Sequence, residues 1–312
     1  MGQTRRGRKN EGPHGWLAIH KEAGMTSTRV VERVKRIVKA GKAGHGGTLD
    51  PFSEGVLPIA MGEATKTLSQ VLDGEKAYRC WIRLGAETDT GDPTGQFTPG
   101  HTQFPDLPTL RVALERFLGE QDQIPPAYSA IHVDGERAYE RARRGETVEI
   151  PSRRVIFHQV ELVEYTEDGL ATVDVRCGKG TYMRALARDL GRNLGCLAHL
   201  ERLLRTRTLG FALAECVTLD ALSQAIGDGR LNELLLPVDR ALDDIPALRL
   251  RLEAWSRIMN GQAAWIEADE MAPGPVRLLS PEGRFGATGV IGQGRDPSGR
   301  LSCTPTRLFL GV

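Results

Sequence analysis

The sequence lacks an excess of charge of either sign, a long apolar run and a paired set of cysteines. Its 312 residues carry 41 Lys and Arg against 40 Asp and Glu, so any binding to nucleic acid has to rest on local basic patches. No apolar run is long enough to cross a membrane, and none follows the basic start of the chain as in a signal peptide. The 5 scattered cysteines suit reduced thiols and predict a cytoplasmic protein.

Motifs of cofactor and metal sites are also missing. The sequence contains no dinucleotide-binding fingerprint and no phosphate-binding loop of the P-loop type. Cys196 and His199 are close enough in sequence to form half of a zinc site, but no second pair complements them. We therefore predict neither a cofactor nor a metal ion.

A compact run of flexible and reactive residues is present at Gly44-His45-Gly46-Gly47-Thr48-Leu49-Asp50-Pro51. Glycines permit tight turns and a close approach of the backbone to a ligand, and Pro51 biases Asp50 towards an extended conformation. His45 and Asp50 are the titratable groups of this run, and Thr48 adds a hydroxyl. The pattern alone leaves two interpretations open, an ordinary turn or a catalytic loop.

Hydrophobic periodicity divides the rest of the chain into strands and helices. The predicted strands are 15–19, 76–84, 154–165 and 171–177. The first predicted helix is capped by Ser27 or Thr28 and ends before Gly41. A later helix opens at 178–184, and the other predicted helices are 63–72, 109–118 and 218–226. Residues 88–92 are predicted to be a polar turn. Lys179 and Arg184 stand at the start of a predicted helix, where cations do not stabilise the helix, which suggests an anion site.

The run around Asp50, continued by Gly55-Val56-Leu57-Pro58 and Gly62-Glu63-Ala64-Thr65-Lys66, resembles the catalytic segment of the tRNA pseudouridine synthase B family. The resemblance implies isomerisation of uridine to pseudouridine at position 55 in the T-loop of tRNA. It also implies a monomer with no obligate protein partner. The implied fold is α/β of the α+β type, with a mixed, largely antiparallel central sheet and an RNA-binding cleft.

The resemblance also carries roles for single residues. Asp50 matches the family's essential carboxylate, Tyr78 its active-site tyrosine, and Arg184 the arginine expected to keep Asp50 ionised. The positions predicted to bind the flipped nucleotide and its surroundings are His45, Thr48, Lys179, Tyr182 and Leu203. The target of Asp50, which is C1′, C6 or the C2′ proton of the nucleoside, stays open.

The chain divides into a tail, a catalytic domain and an accessory module. From their polar and basic composition, residues 1–14 are predicted to be a disordered tail. The resemblance implies a catalytic domain at residues 15–245 and, at residues 246–312, a small β-barrel similar to the PUA fold, an RNA-binding accessory. Residues 124–152 resemble the family's mobile insertion, which folds against bound RNA. The arginines predicted to contact the RNA backbone are Arg141, Arg143, Arg144 and Arg154. A further basic patch is predicted at Arg202, Arg205 and Arg207.

Three other functions fit parts of the sequence. An RNA chaperone on the same scaffold would not need Asp50, Tyr78 and Arg184, which are all present. A glycoside hydrolase could use Asp50, but no partner acid can be assigned. A phosphate-binding glycine loop would need a Lys-Ser/Thr pair after the glycines, which this run lacks.

Overall fold

The computed structural model describes residues 12–101, 103–128, 132–133, 136–137, 141, 144, 150–267 and 271–311. The strands are β1 (Gly15–Lys21), β2 (Ala43–His45), β3 (Glu54–Met61), β4 (Lys76–Leu84), β5 (Ala86–Thr88), β6 (Phe97–Pro99), β7 (Gly119–Gln123), β8 (His132–Val133), β9 (Glu136–Arg137), β10 (Arg153–Tyr165), β11 (Leu170–Cys177), β12 (Ala198–Thr208), β13 (Phe211–Ala212), β14 (Ala247–Arg249), β15 (Ala264–Ile266), β16 (Gly274–Leu279), β17 (Phe285–Arg295) and β18 (Leu301–Leu308). The α-helices are α1 (Ser27–Ile37), α2 (Leu68–Asp73), α3 (Leu107–Glu115), α4 (Met183–Asn193), α5 (Leu219–Gly227), α6 (Leu231–Leu234) and α7 (Leu252–Met259). Short 3₁₀ helices lie at Gly62–Thr67, Leu213–Glu215 and Val238–Leu242. None of the helices in these ranges is long and apolar enough to cross a membrane.

A large mixed sheet forms the centre of the protein. Its strand order is β1-β3-β12-β4-β11-β10-β7, with β2 paired to β3 and β13 paired to β12. Within the described residues, its strand pairs are antiparallel except for β12 with β3, which run parallel. The predicted fold, an α/β protein with a mixed and largely antiparallel sheet, is therefore confirmed.

Helices cover the sheet where its side chains are apolar. The stripe of α4 packs with α3 and the inner face of β4 and β11 in one cluster, which includes Leu186, Leu190 and Val173. Helices α1 and α5 cover β1 and β3 in a second cluster. The helix predicted to open at 178–184 and the strand predicted at 76–84 are confirmed, because their periodicities match a helix and a strand.

The predicted cap of α1 was wrong. Thr26 Oγ1 accepts a hydrogen bond from the N–H of Arg29 at 3.2 Å, so Thr26 is the cap. The chain leaves the helix through Lys39, whose φ of 54° is positive, before it reaches Gly41. Since Ser27 lies inside the helix, its hydroxyl is free to serve another segment.

The single helix predicted at 63–72 is divided into the 3₁₀ segment Gly62–Thr67 and α2. The hydroxyls of Thr65 and Thr67 donate to the carbonyls of Gly62 and Ala64, three residues earlier. Such side-chain bonds compete with the regular pattern of an α-helix, which accounts for the tighter first segment.

Strand β7 has no signal in the sequence. Its residues, Gly-Glu-Gln-Asp-Gln, show no apolar alternation, and the strand forms through backbone pairing with β10 at the edge of the sheet. Edge strands with charged side chains are common because they resist pairing with other molecules.

In strand β12, the basic patch predicted at Arg202, Arg205 and Arg207 was wrong for Arg205, which is buried. Arg205 is only 1% exposed, whereas Arg202 and Arg207 remain on the other face of the strand. Register shifts between Leu200 and Arg202, and again between Arg205 and Arg207, interrupt the alternation. These bulges turn Arg205 into the protein.

A second, curled sheet with the order β14-β16-β17-β18-β15 occupies the C-terminal part. Phe309, which follows the last strand of this sheet, packs against the part of the protein that contains the large mixed sheet. It is 1% exposed in an apolar cluster with Trp16 and Phe211. Lys66 Nζ donates to the carbonyl of Leu308 at 2.9 Å. At the other end of the chain, residues 1–11 of the predicted tail lie outside the described ranges.

Candidate functional site

The predicted catalytic loop leads from β2 into β3. Gly47 has a φ of 117°, a conformation that side chains rarely adopt, and a Cβ on Gly46 would lie 2.5 Å from Val71 Cγ1. The glycines therefore serve a turn and a close contact with α2. Leu49 is pinned by the hydroxyl of Ser27, which accepts from its N–H at 2.9 Å and donates to its carbonyl at 3.0 Å.

A buried lysine fixes the far side of this loop. Lys21, the last residue of β1, is fully buried, and its ammonium donates to the carbonyls of Glu22, Pro51 and Ser53 at 3.1, 3.1 and 2.6 Å. Three donors meet three acceptors, so the ammonium fixes the backbone just after Asp50. Nothing in the sequence marks Lys21 for this role, because a lysine at a strand end ordinarily reaches solvent.

We expect the Lys21→Met variant to change how stability depends on pH. Burial lowers the pKa of Lys21 to about 8 from 10.5, against the charges of Asp50 and Glu54. Between these values the unfolded chain binds more protons than the folded one, so Lys21 makes stability rise with pH. As pH rises through this window, the free energy of unfolding of the wild type should increase relative to that of the variant by up to about 1.4 kcal/mol per pH unit.

Urea unfolding of both proteins from pH 7.5 to 10 measures this difference. The exposed Lys35 provides the matched control, because Lys35→Met removes a lysine charge without removing a buried donor. A difference between wild type and Lys21→Met that is constant across the range would contradict the prediction.

Asp50 and Arg184 are in contact. Arg184 Nε lies 2.9 Å from Asp50 Oδ2, and the side chain of Arg184 is 4% exposed while that of Asp50 is 34% exposed. Arg184 is the second residue of α4, where the helix dipole already places positive charge. The sequence predicted an anion site at this helix start, and the carboxylate of Asp50 occupies it.

The two terminal nitrogens of Arg184 bond to backbone carbonyls of two loops. Nη1 donates to the carbonyl of Thr90 at 2.8 Å, and Nη2 donates to the carbonyl of Tyr128 at 2.9 Å. Nη1 also lies 3.8 Å from Asp92 Oδ2. One guanidinium thus lies between two carboxylates and holds two loops.

Asp92 makes the predicted polar turn at 88–92 part of the site. The side chain accepts from the hydroxyl of Thr90 and from the N–H and hydroxyl of Thr94, and the residue is 6% exposed. Turns rich in Asp, Thr and Gly are ordinary on protein surfaces. The sequence therefore gave no reason to place Asp92 beside Arg184.

The environment of Asp50 disfavours its charged form. Burial raises the pKa of this carboxyl and has the largest effect, Arg184 lowers the pKa, and the negative charge of Asp92 raises it again. Lys21 contributes a smaller lowering. The arginine was predicted to counter burial and does so in part, so a reaction that needs the carboxylate should become faster as pH rises through the raised pKa.

A second buried arginine lies beside Tyr78. Arg205 is the cross-strand partner of Tyr78 and donates to the carbonyls of Gly47 and Val56 at 3.0 and 2.8 Å. Burial raises the pKa of Tyr78 to about 12, while the charge and hydrogen bond of Arg205 lower it. Arg205 therefore joins β12, beside Tyr78, to Gly47 of the catalytic loop and to β3 at Val56. Leu203 lies in the apolar cluster on which Tyr78 packs.

Two more predicted substrate-binding residues lie on the loop and its entry. His45 ends β2, and its Nδ1 is buried without a hydrogen-bond partner among the described residues. Burial and then the charge of Arg205 lower the pKa of His45, which favours the neutral imidazole at neutral pH. Thr48 is exposed.

The last two predicted substrate-binding residues flank the start of α4. Tyr182 is the residue before the helix, and the guanidinium of Arg153 lies 5.6 Å from the centre of its ring. Lys179 is exposed and pairs with Asp73 at 3.0 Å. Their roles in substrate binding stay predictions.

Of the four arginines predicted to contact the RNA backbone, Arg143 lies outside the described residues. The carbonyl of Arg141 accepts from the N–H of Arg144 at 3.0 Å. The side chains of Arg144 and Arg154 pair with glutamates of β9 and β7 at 2.7 and 2.9 Å, all of them exposed. Exposed pairs are weak and screened by salt. The contact of these arginines with the RNA backbone stays a prediction.

Comparison with known families finds two matching family models. The model described as "TruB family pseudouridylate synthase (N terminal domain)" matches residues 35–183. The model described as "tRNA pseudouridylate synthase B C-terminal domain" matches residues 184–243. The two matches meet within the start of α4, next to Arg184.

Several curated proteins are similar over most of the chain, and each is named tRNA pseudouridine synthase B. The protein from Rhodopseudomonas palustris is 44% identical over 301 residues, which cover 94% of this chain and 81% of the relative. The one from Caulobacter vibrioides is 45% identical over 258 residues, covering 83% of both chains. The one from Dinoroseobacter shibae is 38% identical over 309 residues, covering 99% of this chain and 98% of the relative.

Solved structures share the fold at low sequence identity. A chain in the structure titled "Structure of H/ACA RNP bound to a substrate RNA containing 2'-deoxyuridine" has a TM-score of 0.73 at 22% identity, covering 95% of this chain and 85% of that one. A chain of an archaeal box H/ACA Nop10-Cbf5 complex has a TM-score of 0.70 at 22% identity, covering 97% and 90%. These similarities concern the fold.

Proposed function

Since the chain belongs to the TruB family of tRNA pseudouridine synthases, we propose that it converts uridine 55 in the T-loop of tRNA into pseudouridine. In this reaction the N1–C1′ bond breaks, the base turns, and C5 bonds to C1′. The proton on C5 leaves and N1 takes one up. Electrons and atoms balance within the nucleoside, so the reaction calls for no external group.

The observation that carries this proposal is the contact between Asp50, which lies in the family's sequence motif, and Arg184 at the start of α4. Asp50 is the carboxylate that acts on the nucleoside, and Arg184 orients it and favours its ionised form. Tyr78 presents an aromatic face to the uracil. Because its pKa is raised to about 12, its hydroxyl keeps its proton at neutral pH and can donate a hydrogen bond to the base.

Energetics explain why basic side chains around the site are needed. Extruding the target nucleotide costs a few kcal/mol, and stacking one base on an aromatic ring returns about 1–3 kcal/mol. Affinity must therefore come from contacts with the phosphates, for which Arg141, Arg143, Arg144 and Arg154 are the candidates. Binding should weaken as salt rises.

The curled C-terminal sheet is proposed to be a separate PUA-like module, residues 246–312, that adds affinity for RNA. A cavity of about 440 Å³ on this sheet supports the proposal, and Trp265 beside it is 47% exposed. The arginines that line the cavity are Arg249, Arg251, Arg257 and Arg300. Guanidinium groups beside an exposed indole offer phosphate contacts and a stacking surface.

We place the enzyme in the cytoplasm, as a monomer that acts on tRNA without a protein partner. Its five cysteines are all free thiols, and four of them are buried. Free thiols are typical of proteins that work in a reducing compartment.

A tritium-release assay tests the proposed function. The substrate is a tRNA transcript labelled with tritium at C5 of its uridines, since isomerisation at a uridine releases that label. We expect release of one tritium per tRNA from the wild-type substrate and none from a transcript in which uridine 55 is replaced by cytidine. Equal release from both transcripts would refute the position, and no release from either would refute the activity.

A further inference from the structure

The end of β7 and the first residues of the RNA-binding insertion are attached to α4 and to the residue before it by side-chain to backbone hydrogen bonds. Gln123 bonds to Tyr182, and Arg188 Nη2 donates to the carbonyl of Ile124 at 2.9 Å. These contacts join the end of β7 and the root of the insertion, residues 124–128, to the helix that carries the catalytic arginine.

Gln123 makes the central contact of this attachment. Its Nε2 donates to the carbonyl of Tyr182 at 3.1 Å, and its Oε1 accepts from the N–H of Tyr182 at 2.8 Å. The residue is 3% exposed. A primary amide can donate and accept at the same time, whereas a carboxylate only accepts and an apolar side chain does neither.

The cross-strand partner of Gln123 holds the same tyrosine from another side. Arg153 pairs with Gln123 between β10 and β7, and its guanidinium lies 5.6 Å from the ring centre of Tyr182. Tyr182 is thus fixed by its backbone and by its ring, both from the end of β7 and its neighbour.

A shift of Tyr182 moves the backbone of Arg184 with it, because only Met183 separates the two residues at the start of α4. Arg184 contacts Asp50 through Nε and the carbonyl of Tyr128 through Nη2, both at 2.9 Å. The root of the insertion and the catalytic carboxylate therefore share one guanidinium.

We propose that Gln123 is a positioning residue that couples the placement of the RNA-binding insertion to the contact between Arg184 and Asp50. This inference rests on the proposed function, since it assigns the insertion to RNA and Asp50 to the chemistry. Without the bonds of Gln123, Tyr182 is released, and Arg184 shifts away from Asp50. A displacement of about 1 Å at a reacting centre can cost on the order of 100-fold in rate.

A displacement of Arg184 would change the pKa of Asp50, whereas a loss of stability alone would not. The charged groups that face Asp50 are Arg184 from α4, Asp92 from the loop after β5, and Lys21 from β1. When Arg184 moves away, the balance shifts towards burial and Asp92, both of which raise the pKa of Asp50. The acid limb of the rate profile then moves to higher pH.

The test compares Gln123→Met, which keeps the volume and loses both bonds, with Gln123→Glu, which keeps only the acceptor. Gln121→Met is the matched control, since Gln121 lies two residues earlier in β7 and its amide donates to the carbonyls of Arg116 and Leu118. Single-turnover tritium release against pH, tRNA affinity and melting temperature are measured for each. For Gln123→Met we expect a rate loss of about 10- to 100-fold, an acid limb at higher pH, and tRNA affinity within about threefold of wild type. Gln123→Glu should show the same shift, and Gln121→Met should behave as wild type.

A second measurement works without RNA and separates this inference from the proposed function. Carbon NMR of Asp-labelled enzyme, with the signal assigned through Asp50→Asn, reports the pKa of Asp50 in the free protein. We expect a higher pKa in Gln123→Met than in wild type, even if wild type proved inactive on tRNA. An unchanged pKa, or a rate loss that equals the loss of tRNA affinity at an unchanged pH profile, would overturn the inference.

Discussion

Asp50→Asn should abolish pseudouridine formation while the variant still binds tRNA. Asparagine has nearly the same shape, but its amide has no negative charge and cannot act as a base or a nucleophile. We expect a loss of about 10³-fold or more in single-turnover tritium release, because the variant removes the group on which the reaction depends. Affinity for tRNA should be unchanged or higher, since a negative charge next to the RNA phosphates is removed.

Asp89→Asn is the matched control for this experiment. Asp89 lies in the loop that also carries Asp92, is exposed, and accepts from the N–H of Gln96 at 2.8 Å. It should release tritium at the wild-type rate. Normal release by Asp50→Asn would remove this carboxylate from the chemistry, and loss of tRNA binding would point to a structural role.

Arg184→Met should lower the rate by about 100-fold or more and move the acid limb of the rate profile to higher pH. The variant leaves the partly buried carbonyls of Thr90 and Tyr128 without their donor, and an acceptor that is buried without a bond costs up to about 1–3 kcal/mol. It also removes the main effect that lowers the pKa of Asp50. At any given pH a smaller fraction of Asp50 is then ionised, so the rate begins to rise at a higher pH than in the wild type.

A lysine at position 184 should not restore the rate. It keeps the charge, but its single ammonium cannot reproduce the fixed fork of a guanidinium that reaches Asp50 and two carbonyls at once. Arg192→Met on the same helix is the control, since Arg192 is 56% exposed and pairs with Glu87.

The sign of the electrostatic effect can be checked with Asp92. The charge of Asp92 raises the pKa of Asp50, so Asp92→Asn should move the acid limb to lower pH, opposite to Arg184→Met. Rate profiles of single-turnover tritium release from pH 5 to 9 measure both shifts. Shifts in the same direction for the two variants would show that the acid limb does not belong to Asp50.

Much of the fold could be predicted from local patterns. Strand β4 and helix α4 follow from alternation and from a helical apolar stripe, because both elements bury one face and expose the other. Strand β7 could not be predicted, since its sequence has no apolar alternation and its formation depends on the edge that β10 offers. The division of residues 62–73 into two segments depended on threonine hydroxyls that bond to their own backbone.

The candidate site was predictable to a smaller extent. The motif identified Asp50, and the unfavourable cation at a helix start indicated that Arg184 had an anionic partner. Lys21, Gln123 and Arg205 were not recognised, because each acts on backbone carbonyls or N–H groups. Every residue has such groups, so a sequence does not reveal which of them a distant side chain will reach.

The sequence by itself determined the family, the strands and helices with clear periodicity, and the loop that carries the carboxylate. These are properties of short segments, in which chemistry and spacing are visible residue by residue. The tertiary structure alone decided which arginines became buried, which lysine lost its exposure to solvent, and which amide joined the insertion to α4. Those outcomes depend on the register and bulges of β12 and on the meeting of segments 30 to more than 90 residues apart. Burial and partner geometry there determine the charge and position of each group.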